Sequence, residues 1–255
     1  MVKAALSGFS KFTADEIFYS LLKEKKNVFD LETIDGKKYK DVFVLGFSSS
    51  KKLLFTSVGK FSYSDVARLN FGGKESFRFY KEVLSFLPES NCLLKFVDKP
   101  IYIYPYSRSP EKWWLVKCYP YFYLLHRSKT LFRRGRKKKL HDYSVVYKLH
   151  LSAFTLFRPY RENLISQGEP VRKHEAGVWR EELKETTKML IDEFKSRGKP
   201  RLVVTVALRD GREITGIVNK RNGLKGFFYV LADPDDPKAK IFIYKHAVDD
   251  FWVEE

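Results

Sequence analysis

The segment VTVALRDGREITGIVNK, residues 204–220, alternates apolar and polar residues on either side of Asp210-Gly211. A period of two indicates a strand with one buried face, and Asp-Gly between two such runs is a strong signal for a tight hairpin. The segment FDLETIDGKKYKDVFVLGF, residues 29–47, has the same arrangement around Asp35-Gly36. The two hairpins predict a mainly β chain in which one organisation occurs twice, with two unrelated hairpins as the alternative.

Three segments have the spacing of helices rather than strands. Gly198 and Pro200 are predicted to end the third helix, which covers residues 177–199. Thr13 and Glu16 form a capping-box pattern at the start of the first, which has Ile17, Phe18, Leu21 and Leu22 on one side. The second is predicted to bury Phe77, Tyr80, Val83, Leu84 and Leu87 on one face. The three segments are ADEIFYSLLKEKK (14–26), KESFRFYKEVLSFLPE (74–89) and GVWREELKETTKMLIDEFKSRGK (177–199).

The middle of the chain is rich in basic and aromatic residues. Residues 101–175 contain 16 basic and 5 acidic residues, so they hold +11 of the formal net charge of +17. An excess of this size favours an anionic partner, with nucleic acid ahead of a membrane surface. The alternative is a basic protein whose lysines are merely solvated.

The segment RRGRKKK, Arg133 to Lys139, has six basic residues in seven and is predicted to be a loop between strands that contacts phosphates. A solvated hairpin loop is the alternative. Nine nearby aromatics either form a stacking platform for bases or, more commonly for such density, a β core. They are Tyr102, Tyr104, Tyr106, Trp113, Trp114, Tyr119, Tyr121, Phe122 and Tyr123.

The sequence offers no support for an enzyme. The four histidines outside the C-terminal strands stand apart, and the carboxylates of ADPDDPKAK (residues 232–240) fit no calcium-loop spacing and predict an acidic turn. No phosphate-binding loop, nucleophile elbow or dinucleotide fingerprint occurs. We therefore expect no catalytic residues, no metal and no cofactor, although a nuclease site assembled from scattered residues stays open.

Two cysteines, Cys92 and Cys118, make no disulfide framework and favour a reducing compartment. The first 18 residues lack the apolar core of a signal peptide, and no run is long and apolar enough to span a bilayer. We therefore expect a cytoplasmic protein without a membrane partner.

The segment IFIYKHAV, residues 241–248, places Tyr244, Lys245 and His246 at the end of an apolar strand. Together with the hairpin that carries Gly211 and Gly216, it resembles the two sequence motifs of the bacterial Hfq branch of the Sm-like family. The resemblance covers about residues 187–253, including the end of the third helix. The hairpin with Gly36 would belong to a more divergent copy of the same module.

The resemblance implies a five-stranded, strongly bent β-barrel that assembles into a ring through its edge strands. It also implies that the ring pore holds uridine-rich RNA ends. Lys245 would contact phosphate or a base oxygen, His246 would line the pore, and Tyr244 would support the pocket and the subunit interface. Phe227 or Phe228 would stack on a base. Loose counterparts of the family's rim arginines are Lys195, Arg197 and Lys199.

These observations predict an α+β chain, mainly β, with two small Sm-like barrels, each preceded by a helix and separated by a basic β-rich segment. The predicted parts are residues 1–98, 99–175 and 176–255. The expected function is non-catalytic binding of single-stranded RNA, and DNA as a second ligand, by an Hfq-like chaperone or protector. It would act as a homo-oligomeric ring, or as a pseudo-ring of two barrels per chain. The alternatives are a nucleic-acid enzyme such as a nuclease, and a structural subunit of a larger nucleoprotein complex.

Overall fold

The computed structural model describes residues 14–87, 97–106, 108–119, 122–133, 136–168, 179–221, 223–224 and 228–254. The chain divides into two compact units, which are described one at a time. Unit 1 consists of Met1–Asp98 and Trp114–Lys148, and unit 2 of Lys99–Trp113 and Leu149–Glu255. The basic middle segment therefore contributes to both units.

The described residues contain the helices α1 (Ala14–Glu24), α2 (Gly73–Glu82) and α3 (Trp179–Ser196). The strands of the first half are β1 (Phe29–Thr33), β2 (Lys38–Val42), β3 (Val44–Ser48), β4 (Leu53–Thr56), β5 (Gly59–Ser62), β6 (Val66–Phe71), β7 (Pro100–Pro105) and β8 (Glu111–Cys118). Those of the second half are β9 (Phe122–Arg133), β10 (Arg136–Tyr147), β11 (Leu151–Leu156), β12 (Ile165–Gln167), β13 (Arg201–Leu208), β14 (Arg212–Asn219), β15 (Phe228–Ala232), β16 (Lys240–Tyr244) and β17 (Val248–Val253). Most of the regular structure is therefore β.

Unit 1 contains two antiparallel sheets. The larger has the order β8-β9-β10-β6-β1-β2, and the smaller has the order β3-β4-β5. Helix α1 buries Ile17, Phe18, Leu21 and Leu22 in the unit 1 core, which confirms the face predicted from the sequence. Thr13, proposed as its cap, lies outside the described residues.

Of the residues predicted to be buried here, Val83, Leu84 and Leu87 are buried, but helix α2 itself buries a different face from the one predicted. Phe77 and Tyr80 are 71 % and 53 % exposed, whereas Phe79 is fully buried. The Phe79 ring stacks on Phe71 of β6 with centroids 4.0 Å apart. The sequence interpretation assumed one continuous helix, but α2 ends at Glu82 and a short 3₁₀ turn, Leu84–Phe86, follows. Because the α-helix ends here, the apolar residues of α2 and those of the 3₁₀ turn do not lie on one continuous helical face.

Unit 2 contains one antiparallel sheet of order β17-β13-β14-β15-β16-β11-β7. Strand β12 lies outside this order and pairs with β14. Helix α3 contributes the buried residues Leu190 and Phe194 to its core. The predicted Asp-Gly hairpin is confirmed, since β13 and β14 pair in register from Arg201↔Asn219 to Ala207↔Glu213. Its turn glycine, Gly211, has a φ of 84°, a left-handed value that glycine adopts without steric penalty.

The prediction of two Sm-like barrels is wrong. In unit 2 the fourth strand of the expected barrel, β16, pairs on its far side with β11, and β11 pairs with β7, so the sheet continues instead of closing. In unit 1, β2 and β3 belong to different sheets, where they pair with β1 and β4 respectively. The hydrogen-bonding edges are thus used for sheet extension, a choice that local sequence patterns do not encode.

No helix in the described ranges is long and apolar enough to cross a membrane. Cys118 is disulfide-bonded, whereas the sequence interpretation expected no disulfide framework. Cys92 lies outside the described residues.

Candidate nucleic-acid interface

The basic segment predicted as a loop is mostly strand. Strand β9 continues to Arg133 and β10 starts at Arg136, which pairs with it across the hairpin. The segment looked like a loop because lysine is depleted in strands. However, the strand pairing of this segment is continuous up to the tip, from Tyr147↔Phe122 to Arg136↔Arg133. Of the predicted phosphate contacts, the backbone is described for Arg133, Arg136, Lys137, Lys138 and Lys139, while Arg134 lies outside the described residues.

Positive charge is concentrated along this hairpin. Residues 127–139 include eight basic and no acidic residues. Arg133 and Arg136 occupy directly opposed positions of the ladder, and like charges in such a pair destabilise it.

Tyr244 of the Tyr-Lys-His segment is a packed residue. It ends β16, and only 3 % of it is exposed. Its ring contacts Phe228 at 4.9 Å, Phe154 at 5.9 Å and the imidazole of His246 at 4.9 Å between centroids. Burial against three rings gives Tyr244 a role in holding the sheet of unit 2 together.

Lys245 and His246 lie on a 3₁₀ turn, Lys245–Ala247, between β16 and β17. The Lys245 ammonium donates to the carbonyl of Leu224 at 3.1 Å and lies 5.1 Å from the centroid of the Tyr229 ring. Burial lowers the pKa of Lys245 below its ordinary value. His246 Nε2 is 3.0 Å from the carbonyl oxygen of Leu151. Both side chains are half-buried and engaged within unit 2.

The remaining residues suggested by the family resemblance are spread along α3 and β15. Phe228 packs edge-on against Phe154, with centroids 5.4 Å apart, and Phe227 lies outside the described residues. Lys195 pairs with Asp192 at 2.9 Å, and Arg197 pairs with Glu193 at 3.1 Å. Lys199 is exposed in the connection that follows α3.

Gly216 has a packing role in the middle of β14. A Cβ at this position would lie 2.4 Å from the Tyr160 hydroxyl and 2.9 Å from the carbonyl oxygen of Ala232. Only glycine leaves room for these neighbours. By contrast, Gly36 and Gly211 are turn glycines, each with a φ of 84°.

A buried ion pair at the Asp210-Gly211 turn escaped the sequence interpretation, which predicted only a tight turn here. Arg212 Nε donates to Asp210 Oδ2 at 3.0 Å, and Arg212 Nη2 donates to the carbonyl of Pro105 at 2.7 Å. Ser152 Oγ donates to the same carboxylate at 2.5 Å. Burial opposes ionisation of Asp210, but the hydrogen bonds and charge of Arg212 hold its pKa below the ordinary value. The only local sign of this ion pair in the sequence is that Arg212 directly follows Asp210-Gly211.

The acidic turn before β16 is neutralised by arginines. Arg161 contacts Asp233 at 2.9 Å and Asp235 at 2.7 Å, and Arg158 pairs with Asp236. Across the described ranges, no group of three or more His, Cys, Asp or Glu side chains has the arrangement of a metal site. The turn is therefore a set of ion pairs in which Asp233 is buried and Asp235 is exposed.

Comparison with known proteins gives one match. The model of a family of unknown function (DUF6982) matches residues 180–254, which span most of α3 and the strands β13 to β17. The matched part is less than a third of the chain. No curated protein and no solved structure is significantly similar to the chain.

Proposed function

We propose that this protein binds single-stranded RNA without catalysis, through the β9–β10 hairpin of unit 1. The observation that carries the proposal is the run of eight basic and no acidic residues over 127–139, seven of which belong to two paired strands. A phosphate backbone is the polyanion with the matching charge density, and neutralising it releases condensed counterions. The role as chaperone or protector of RNA is part of the same proposal.

The Tyr-Lys-His segment is a weaker basis for the affinity. Tyr244 is buried, and the polar atoms of Lys245 and His246 contact carbonyl groups of unit 2. Binding RNA there would exchange existing contacts for new ones, with little net gain. We therefore assign most of the affinity to the hairpin and treat the uridine preference implied by the family resemblance as a separate question.

The test is a titration of fluorescent oligo-U RNA, oligo-A RNA, single-stranded DNA and duplex DNA at several salt concentrations. Wild type is compared with Lys137→Gln/Lys138→Gln/Lys139→Gln in the hairpin. The matched control, Lys220→Gln/Lys238→Gln/Lys240→Gln, removes the same charge from exposed positions of unit 2. We expect the hairpin variant to reduce the slope of log K against log salt by about 2, from roughly 0.7 per phosphate contact on single strands. The control should keep the wild-type slope.

A Lys245→Ala/His246→Ala variant separates the two candidate sites. Retained RNA affinity in this variant, with a loss in the hairpin variant, supports the proposal. A uridine preference that disappears only in Lys245→Ala/His246→Ala contradicts it and assigns binding to the Tyr-Lys-His segment. Metal-dependent cleavage of the labelled strands would instead indicate a nuclease.

A further inference from the structure

Four aromatic rings follow one another where the basic hairpin leaves the core of unit 1. They are Trp114 of β8, His126 of β9, Tyr143 of β10 and Tyr80 of α2, hereafter the aromatic row. Trp114 and His126 are nearly parallel, with centroids 5.9 Å apart and an interplanar angle of 21°. His126 and Tyr143 are 6.2 Å apart, and Tyr143 and Tyr80 are 6.0 Å apart at 23°.

The row follows from the strand register. His126 is the cross-strand partner of both Trp114 and Tyr143, so the three side chains stand on the same face of three adjacent strands. Helix α2 then adds Tyr80 from the exposed stripe that the sequence interpretation had assigned to the core. The alignment is thus a product of the sheet and cannot be seen in any single segment.

The row reaches the surface at both ends. Tyr143 is buried and belongs to the core of unit 1. Trp114 and His126 are half-buried, and Tyr80 is 53 % exposed. A row that served only the core would bury its outer rings. These rings instead retain surface that a flat ligand can cover.

The row lies at the root of the charged hairpin. Arg127 directly follows His126 and is the first of the eight basic residues. From His126 to Arg133 the strand rises about 23 Å, at roughly 3.3 Å per residue. A chain with anionic groups along its length and flat rings attached to it would contact both features together.

We propose that unpaired bases of single-stranded RNA stack on Trp114, His126 and Tyr80 while the sugar-phosphate backbone follows the hairpin. This inference rests on the proposed function and names the residues that would contact the bases. Aromatic side chains stack on any base but need its face exposed, which a duplex does not offer. An acidic peptide would satisfy the charges but would leave the rings without a planar partner.

The experiment measures binding of oligo-U RNA, the same-length chain with abasic sugars, duplex RNA and polyglutamate. Tyr80→Ala and Trp114→Leu are compared with wild type and with Trp252→Ala, which removes a partly exposed aromatic from unit 2. We expect each row variant to bind oligo-U roughly 5- to 150-fold more weakly, the range for loss of one stacked base. Its salt slope and its affinity for the abasic chain should stay at the wild-type values. Tyr80→Ala changes an exposed side chain, so the test stands even if Trp114→Leu fails to fold.

Two results would overturn the inference while leaving the proposed function intact. One is unchanged oligo-U affinity in both row variants, and the other is an equal loss on the abasic chain. Duplex RNA bound as tightly as oligo-U would also contradict it, and polyglutamate bound as tightly would indicate an acidic protein partner. Failure of the proposed function is distinguishable, because wild type would then bind no RNA or the hairpin variant would keep the wild-type salt slope.

Discussion

At the residue scale, the two Asp-Gly turns have opposite surroundings. Asp35 is exposed, and its hydrogen bonds with Lys37 and Thr33 lower its pKa to about 2. Asp210 is buried, with Arg212 as its ionic partner. The difference arises because unit 2 places Ser152 and the carbonyl of Pro105 beside the second turn. Removing a partner should therefore have very different consequences at the two turns.

We predict that Arg212→Met lowers the free energy of unfolding by about 3–5 kcal/mol, since it leaves Asp210 buried without its counter-charge. Urea unfolding measures this, and a double variant Asp210→Ala/Arg212→Met should be more stable than Arg212→Met alone. The ionised Asp210 carboxylate stabilises the folded wild type fully above its ordinary pKa of 3.8. This contribution to the free energy of unfolding is lost as pH falls through the lowered pKa of the folded state. Arg212→Met should reverse this trend, because burial alone raises the pKa of Asp210. A loss below 1 kcal/mol would contradict the buried pair.

Lys148 gives a prediction with the same sign of pH dependence in a more alkaline window. Burial lowers its pKa to about 8 from 10.5, and its ammonium lies 4.6 Å from the centroid of the Tyr123 ring. The unfolded chain therefore binds more protons than the folded chain between pH 8 and 10.5, and stability rises with pH in that window. We expect wild type to gain stability relative to Lys148→Met from pH 8 to 10.5. A stability difference that stays constant, as expected for the exposed control Lys40→Met, would contradict the burial of this amine.

At the element scale, α2 and the β9–β10 hairpin show where local patterns mislead. The spacing of α2 predicted its aromatics inward, and the composition of the hairpin tip predicted a loop. In the structure α2 presents Phe77 and Tyr80 to solvent, and the hairpin strands extend to Arg133 and from Arg136. A helix with aromatics on several faces has more than one amphipathic solution, and packing against β6 and β10 decides between them.

We predict that Phe79→Ala lowers the free energy of unfolding by about 3–5 kcal/mol, because it removes a fully buried ring that stacks on Phe71. Phe77→Ala, two residues away on the same helix, should change it by less than about 0.5 kcal/mol. Chemical denaturation of the two variants makes the comparison. Equal losses in the free energy of unfolding would contradict the burial of Phe79 in place of Phe77.

At the scale of the whole molecule, the sheet of unit 2 limits how copies can assemble. A ring formed by the strands β13 to β17 needs both outer strands to be available. Strand β16 is already paired with β11 through Ala153↔Ile243, Phe154↔Phe242 and Thr155↔Ile241. Ring closure by edge pairing would require β11 to detach from the core of its own unit.

We therefore expect no ring through these strands. Sedimentation equilibrium should give the mass of a single chain, 30.0 kDa, at micromolar concentration. A Phe154→Ala variant removes the ring that stacks on Phe242 of β16 with centroids 4.8 Å apart. It weakens the packing of β11 on β16 and serves as the control in which the β16 edge is more easily exposed. A wild-type mass of three or more chains would show that an edge becomes available.

The sequence by itself determined the local elements and the charge. The Asp-Gly hairpins, the buried face of α1, the strands of the C-terminal region and the basic run at 127–139 follow from period, turn chemistry and composition. Only the tertiary structure decided the pairing of β16 with β11, the burial of Asp210 with Arg212, and the alignment of Trp114, His126 and Tyr80. These features join residues distant in sequence, and their energies depend on which edges and faces meet after folding. Local patterns constrain each strand alone, so they cannot specify its partner.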